Sequence, residues 1–310
     1  MNRKRLQNRV AESRMALPLT AVYATAVCLT AGACGGFHHV AFALVVVSAF
    51  LMMELNNLNA LIRIYSRMVS CAYLVLTVMS VSLVRDLHSG VTAIAFVLFF
   101  MFLFSAYQDN NAAGRIYYAF LMLGIVGMFY APFLFLVPMV WVLMFTHLMS
   151  GSLRTVSASL LGVLTPWWVL TAFCMYKGDF SLLLDAVGGF SDFVSVTEWH
   201  AVPLMQCVSV GVVMLFALLG GVHFRIYNYL DKIRVRMLYG VLSYVCLFLA
   251  VLTAISPLSL RYLLPSLIVS ASPLVGHYIA LSSSRLSNVT FCVTALACLI
   301  ITVCNLWMRC

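Results

Sequence analysis

Long runs of apolar residues, separated by short clusters of charged and turn-forming residues, dominate the pattern along the chain. A helix that crosses a bilayer needs about 20 mainly apolar residues. The runs predict an all-α fold, a polytopic transmembrane helix bundle with about 11 membrane helices. The predicted spans are Met15–Cys34, Val40–Leu55, Met68–Val84, Val91–Tyr107, Ile116–Tyr130, Phe133–Thr146, Ser157–Tyr176, Val202–Val222, Met237–Ile255, Leu263–Leu281 and Val289–Trp307.

The apolar run Ile116–Thr146 is too long for one ordinary span. A single helix over its 31 residues would measure about 46 Å, whereas the hydrocarbon core is about 30 Å thick. Gly124, Gly127, Pro132 and Pro138 interrupt the run, so we predict a hairpin of two short helices. Prolines predict a broken helix in two spans, Phe133–Thr146 and Leu263–Leu281.

The composition excludes a soluble globular domain. Hydrophobic residues make up 64% of the chain and charged residues 9%, and the mean hydropathy is +1.05. Soluble domains carry about 25% charged residues. The net charge of +9 comes from basic residues in the short loops. That distribution indicates membrane orientation and contact with lipid headgroups, and no nucleic-acid partner is expected.

The loop charges also predict the orientation. With eleven helices and a cytoplasmic N-terminus, fourteen of the 18 Lys and Arg residues fall inside and four outside. If Ile116–Thr146 were one helix, the split would be eleven to seven. The rule that cytoplasmic loops are basic therefore favours an N-terminus inside and a C-terminus outside.

The chain is predicted to have a basic cytoplasmic N-terminal segment, residues 1–14, and a single transmembrane helical domain, residues 15–310. Basic residues before Met15–Ala33 are also typical of a signal peptide, but we interpret this run as a retained first helix. The loops Lys177–Ala201 and His223–Arg236 mix aromatic, aliphatic and charged residues. Both are predicted to be amphipathic segments on the membrane surface.

Motifs of soluble enzymes are absent from the sequence. It contains no phosphate-binding Walker loop, no dinucleotide fingerprint, no zinc-protease motif and no hydrolase nucleophile motif. The ten cysteines form no Cys-x-x-Cys pair, and His38-His39 lacks an evident third ligand. We therefore predict no metal site and no cofactor.

Polar residues at membrane depth are the remaining candidates, because an ionisable group there is costly unless it is paired. The richest stretch lies at one predicted cytoplasmic edge. Its candidate residues for substrate or lipid binding are Glu54, Asn56, Asn57, Asn59, Arg63 and Arg67. Arginine binds phosphate through two parallel hydrogen bonds. The alternative is a connecting turn in which Asn caps helices and Arg sets the topology.

Four further candidates lie elsewhere. Arg85 and Asp86 belong to an outside turn and either contact a ligand or form a local ion pair. Arg261 lies at the outer end of a predicted span, where it either binds an anionic lipid-linked substrate or anchors the helix at the interface. His277 lies within an apolar helix and is either a proton relay or a hydrogen-bonded core residue.

The middle of the chain carries short motifs in a fixed order. They are Asn56-Asn57-Leu58-Asn59 with Tyr65-Ser66-Arg67, then Tyr107-Gln108-Asp109, then the stretch Phe120–Pro132, then Arg154 with Leu161-Gly162-Val163-Leu164-Thr165-Pro166. This order resembles a family of uncharacterised multi-pass inner-membrane proteins of Bacteroidetes, a domain of unknown function. The resemblance covers roughly residues 50 to 170. It implies a bacterial inner-membrane location and supplies no catalytic residues.

The sequence favours a non-enzymatic membrane component of transport or envelope assembly that handles an amphiphile. Two alternatives stay open. One is a membrane-embedded transferase, polymerase or ligase that acts on lipid-linked saccharides, and the other is a structural subunit of a membrane complex. The expected partners are membrane lipids, a lipid-linked or amphiphilic substrate, and a membrane partner subunit.

Overall fold

The computed structural model describes residues 5–33, 39–189 and 198–308, and within these ranges it contains helices and no strands. The helices are α1 (Leu6–Glu12), α2 (Ala16–Ala33), α3 (His39–Asn59), α4 (Met68–Met79), α5 (Val81–Arg85), α6 (Leu87–Ser105), α7 (Ala113–Phe129), α8 (Leu136–Thr146), α9 (Leu153–Lys177), α10 (Ser181–Gly188), α11 (Leu204–Tyr227), α12 (Ile233–Ile255), α13 (Leu260–Leu281) and α14 (Arg285–Trp307). Short 3-10 turns at Ala131–Phe135, Glu198–Ala201, Asn228–Leu230 and Pro257–Ser259 join some of them.

Nine helical segments in the described ranges are long and apolar enough to cross a membrane. They contain α2, α3, α6, α8, α9, α11, α12, α13 and α14. Two shorter apolar helices, α4 and α7, occupy the other two predicted spans. The all-helical class is therefore confirmed, and the membrane character fits these nine segments. A count of eleven crossings and the orientation of the termini stay predictions.

Helix α13 forms the centre of the bundle. It packs against α4, α6, α11 and α12, and 89% of its most apolar stretch is buried. The predicted break in this helix is wrong, because α13 is continuous through Pro265 and Pro273. A proline leaves the carbonyl four residues earlier without its helical donor. For Pro265 that carbonyl belongs to Arg261, and the Ser89 hydroxyl lies 2.7 Å from its oxygen.

The broken membrane helix is instead the one formed by α4 and α5. The sequence predicts a continuous span Met68–Val84, but the chain leaves helical geometry at Ser80, with φ −92° and ψ 72°. The break exposes the carbonyl of Met79, which accepts a hydrogen bond of 2.9 Å from the Asn305 side chain. The same amide group also donates to the Ser209 hydroxyl. A buried donor from the last helix therefore stabilises the break.

The apolar run 116–146 is two helices rather than one. Helix α7 ends at Phe129, the chain turns through the 3-10 segment Ala131–Phe135, and α8 follows. The chain then returns to the level where α7 began, because the N–H of Gln108 donates to the carbonyl of Leu148 over 2.8 Å. This arrangement agrees with the predicted hairpin.

The two long predicted surface loops differ in outcome. Lys177–Ala201 does contain a short helix, α10, none of whose residues is buried, while residues 190–197 lie outside the described ranges. Its placement on a membrane stays a prediction. The surface segment predicted for His223–Arg236 is wrong, because α11 extends to Tyr227 and α12 begins at Ile233. Phe224 is buried and stacks on Tyr239, so packing continues the helices through this region.

The described cations are distributed unequally between the two ends of the bundle. We call the end where α3 and α13 finish and α12 and α14 begin the basic end. The opposite end carries Arg85, Lys177 and Arg261, and the other described cations lie at the basic end. The two ends therefore differ in charge as the loop pattern predicts, whichever side of a membrane each one faces.

Candidate functional site

The opposite end contains a cavity of about 390 Å³, which we call the outer cavity. The α4–α5 break, the start of α6, the starts of α11 and α13 and the end of α14 surround it. Its lining is rich in polar groups, among them Ser80, Arg85, Asp86, Ser209, Arg261 and Asn305. Three sequence-predicted candidates, Arg85, Asp86 and Arg261, are thereby brought together although Arg261 is remote in sequence.

Local structure fixes the positions of these side chains. Asp86 is the N-cap of α6, and its carboxylate accepts a 3.2 Å hydrogen bond from the N–H of Ser89. The Ser89 hydroxyl also lies 2.8 Å from the same carboxylate oxygen. The Arg261 guanidinium lies 6.0 Å from the ring centre of Tyr262, which stacks on Phe129. The Asp86 carboxylate therefore caps the N-terminus of α6, while Arg85 and Arg261 supply positive charge to the cavity.

A second cavity, of about 360 Å³, lies at the basic end, and we call it the inner cavity. Hydroxyl groups and imidazoles line much of it. Its lining includes Arg63, His223, Tyr227, His277, Ser283 and Thr290. Arg63 and His277 were predicted from the sequence, whereas His223 was not.

A buried carboxylate and imidazole form a pair beside the inner cavity, and the imidazole, His277, belongs to the lining. His277 Nε2 lies 2.9 Å from Asp231 Oδ2, and the two side chains are 1% and 2% exposed. The other oxygen, Asp231 Oδ1, lies 4.0 Å from Arg63 Nη1. Among the described residues, no hydrogen-bond partner is found for Asp231 Oδ1 or for Nδ1 of His277 and His223. The cluster therefore retains buried polar atoms that a ligand, a water molecule or a proton could satisfy.

The candidate stretch of residues 54–67 has a largely structural arrangement. The Asn56 amide donates to the carbonyl of Ser66, and the Asn59 amide donates to Leu55 while its oxygen accepts from Arg234. These bonds tie the α3–α4 connection in place, as the connecting-turn alternative predicts.

Of the remaining polar residues of the stretch, Arg63 lines a cavity and the others do not. Asn57 is exposed, Glu54 is half-buried and Arg67 donates to the Tyr65 hydroxyl. Arg63 lines the inner cavity. The structure therefore joins Arg63 with His277, and separates both from Arg85, Asp86 and Arg261.

Sequence reasoning missed three polar residues that line the cavities, Ser209, His223 and Asn305, and it also missed Asp231, which pairs with His277. Asp231 stands among the cations of a short loop, and a lone carboxylate in such a loop is one signal of a buried partner. Asp231 and His277 are 46 positions apart in the sequence, and no local sequence pattern predicts a contact between residues so far apart. Asn305 lies within an apolar helix, and the sequence alone does not show that its side chain donates to the helix break at Ser80.

The residues present do not form an evident metal centre. Within the part of the chain that the structure describes, no group of three or more His, Cys, Asp and Glu side chains is placed to hold a metal ion. No known protein family, curated protein or solved structure matches this chain. The fold itself defines a bundle of apolar helices compatible with a multi-pass membrane protein.

The two cavities lie at the two ends of α13. Arg261 lines the outer cavity and His277 the inner one. Sixteen helical steps separate these residues, which corresponds to about 24 Å along the helix. That distance is comparable with the hydrocarbon core of a bilayer, about 30 Å thick. A polar recess is therefore present near each predicted membrane interface, with the most buried of the nine long apolar helices that the structure describes between them.

Proposed function

We propose that this chain is a multi-pass protein of a bacterial inner membrane that transports an anionic amphiphile, or delivers it to envelope assembly. The observation that carries the proposal is the pair of polar cavities at the two ends of α13, each with at least one arginine in its lining. Arginine suits a phosphate headgroup because its planar fork donates two parallel hydrogen bonds. The apolar tail of such a molecule can remain in lipid.

The α4–α5 break supports transport in particular. Discontinuous helices at membrane depth typically border the substrate site of a transporter, because irregular backbone is tolerated only where it is buried in protein or lines a cavity. Here the break at Ser80 opens onto the outer cavity. In the orientation we propose, the basic end faces the cytoplasm and the outer cavity faces the periplasm.

The test is lipid movement in proteoliposomes that contain the full chain. The probes are fluorescently labelled phosphatidic acid and, as a zwitterionic comparison, phosphatidylcholine with the same label. Quenching of the outer-leaflet dye reports transfer between leaflets. We expect faster transfer of phosphatidic acid than in protein-free liposomes, and a smaller effect on phosphatidylcholine.

Arg261→Ala should lower the apparent affinity for phosphatidic acid about tenfold or more. A hydrogen bond to a charged group contributes about 1.5–3 kcal/mol, and each 1.4 kcal/mol corresponds to about a factor of ten. Arg261→Lys should restore the affinity only in part, because lysine lacks the planar fork.

Lys177→Ala is the matched control. Lys177 is a cation at the same end, but it lies over the Phe173 ring and outside the cavity lining. The proposal is wrong if Lys177→Ala lowers transfer as much as Arg261→Ala does, or if the chain moves neither lipid.

A further inference from the structure

The cluster of Asp231, His277 and His223 has a chemistry that anion binding alone does not use. We propose that this cluster binds one proton taken from the inner cavity, and that proton binding releases Arg63 to hold an anionic headgroup there. The second half of the proposal rests on the proposed function, whereas the first half rests on the geometry of the cluster.

The hydrogen-bond geometry identifies the atom that takes the proton. We assign an ionised carboxylate to Asp231, which can only accept, so that His277 Nε2 carries its hydrogen and donates to Asp231 Oδ2 over 2.9 Å. The lone pair of neutral His277 is then on Nδ1, which has no partner among the described residues. A proton that reaches this buried atom from the cavity forms an N–H bond there. The product is an imidazolium paired with a carboxylate.

One proton is expected, rather than two, because the imidazoles are close together. The ring centres of His223 and His277 lie 5.7 Å apart, and two positive charges at that distance repel each other. His223 Nδ1 is also without a partner among the described residues, but the imidazole bonded to the Asp231 carboxylate is that of His277, so we assign the proton to His277. Asp231 can compensate one positive charge at the cluster.

The neighbouring elements present few competing charges. Arg63 faces Asp231 from the α3–α4 connection, and α12 contributes the Tyr239 ring, 5.0 Å from the His277 ring. Tyr227 of α11 and Tyr278 of α13 pack on His223. The other nearby cations have their own contacts. Arg234 donates to Asn59 and Arg5 to the Ser283 carbonyl, while α1 turns the uncharged Gln7 toward the end of α13.

Competition for one carboxylate links the proton to Arg63. Without the proton, Asp231 carries a full negative charge, and Arg63 Nη1 lies 4.0 Å from its free oxygen. With the proton, the imidazolium neutralises this charge through the shorter contact on the other oxygen. The attraction on Arg63 then weakens, and its guanidinium can pair with a phosphate in the same cavity. Binding of the anion and of the proton should therefore favour each other, by the same factor in each direction.

The first experiment observes the proton directly. Histidine side chains of the full chain, labelled with nitrogen-15 and held in lipid nanodiscs, are followed by NMR between about pH 5 and about pH 8. We expect a buried imidazole that titrates in this range and whose signal His277→Gln removes. His147→Gln is the control, because His147 lies at the same end but packs on Tyr244. The absence of a titrating signal that His277→Gln removes overturns the proton site.

Asp231→Asn keeps the shape of the cluster and provides a second variant should His277→Gln fail to fold. The asparagine oxygen still accepts the imidazole hydrogen but carries no charge. The fraction of protein that holds the proton should fall, because the negative charge that stabilises the imidazolium has been removed. An unchanged proton-bound fraction contradicts the role of Asp231.

The second experiment tests the link to the anion. Calorimetric titration with dioctanoyl phosphatidic acid, in two buffers of different ionisation enthalpy, counts protons taken up per probe bound. We expect uptake approaching one proton in the unaltered chain above neutral pH, and none with Asp231→Asn. Probe binding without proton uptake overturns the link to Arg63. Failure of the probe to bind at all instead overturns the proposed function, while the NMR titration still decides the proton site.

Discussion

The contact between α7 and α9 offers the sharpest test of the packing. Gly162 of α9 lies so close to α7 that a Cβ atom placed there would stand 2.5 Å from the carbonyl oxygen of Tyr117. Gly124 of α7 makes the reciprocal approach, since its Cβ would lie 2.8 Å from the carbonyl oxygen of Val163. Both obstacles are backbone atoms and cannot rotate away. Small residues at such crossings allow two membrane helices to touch along their backbones.

Replacing Gly162 with alanine should therefore force the two helices apart. An ordinary Cβ contact begins at 3.4 Å, so the backbones must separate by roughly 0.9 Å at the 2.5 Å approach. Overpacking of this kind costs about 1–3 kcal/mol. Alanine has a higher helix propensity than glycine, and this difference offsets up to about 1 kcal/mol of the cost. The expected net loss in the free energy of unfolding is about 0–2 kcal/mol, and the loss relative to a glycine-to-alanine change without a clash is about 1–3 kcal/mol.

The assay is reversible unfolding of the purified chain in mixed micelles with increasing SDS, followed by tryptophan fluorescence. Gly114→Ala is the control on α7, the helix that Gly162 contacts, because a Cβ at Gly114 meets nothing within 4 Å. That variant should be as stable as the parent chain or more stable. Adding Gly124→Ala to Gly162→Ala should cost less than the sum of the two changes, because both open one interface. If Gly162→Ala is as stable as Gly114→Ala, the close backbone approach is wrong.

Three further outcomes are expected. Asn305→Leu removes the donor at the α4–α5 break and should lower the free energy of unfolding by about 1–3 kcal/mol in the same SDS assay. Reporter fusions should place Gly178 in the periplasm and Tyr229 in the cytoplasm, and the same location for both would contradict the proposed topology. Ser181 donates its N–H and its hydroxyl to Asp179, and these bonds hold the pKa of that carboxyl below its ordinary value. The resulting stabilisation is present above the ordinary pKa and is lost as the pH falls through the lowered one, so Ser181→Ala should raise the pKa seen in a carboxyl NMR titration.

The apolar pattern predicted most of the helices because hydrophobicity alone decides which segments can enter a bilayer. It also predicted the reversal within residues 116–146, since helix length and bilayer thickness set a simple limit. The two motifs that carried the family resemblance in this region, around Gly124 and Gly162, prove to be the faces through which α7 and α9 touch. The family resemblance itself stays a prediction.

The errors arose where tertiary contacts outweigh local preference. Prolines suggested a break in α13, but neighbouring groups such as Ser89 satisfy a carbonyl that Pro265 leaves free, and the helix continues. Met68–Val84 contains no proline, yet its helix breaks at Ser80, where Asn305 meets the exposed carbonyl. The Asp231–His277 pair was missed for the same reason, because two residues so distant in sequence meet only after the helices have assembled.

The hydrogen bond from Asn305 to Met79 also has a consequence for biogenesis. The donor and the acceptor are 226 positions apart, so the acceptor enters the membrane long before its partner has been synthesised. An unsatisfied backbone carbonyl in lipid costs several kcal/mol. Until α14 inserts, the Met79 carbonyl must therefore either stay unsatisfied or find another hydrogen-bond donor. A chain without α14 therefore leaves the Met79 carbonyl without this donor, so the α4–α5 break depends on a helix that is synthesised much later.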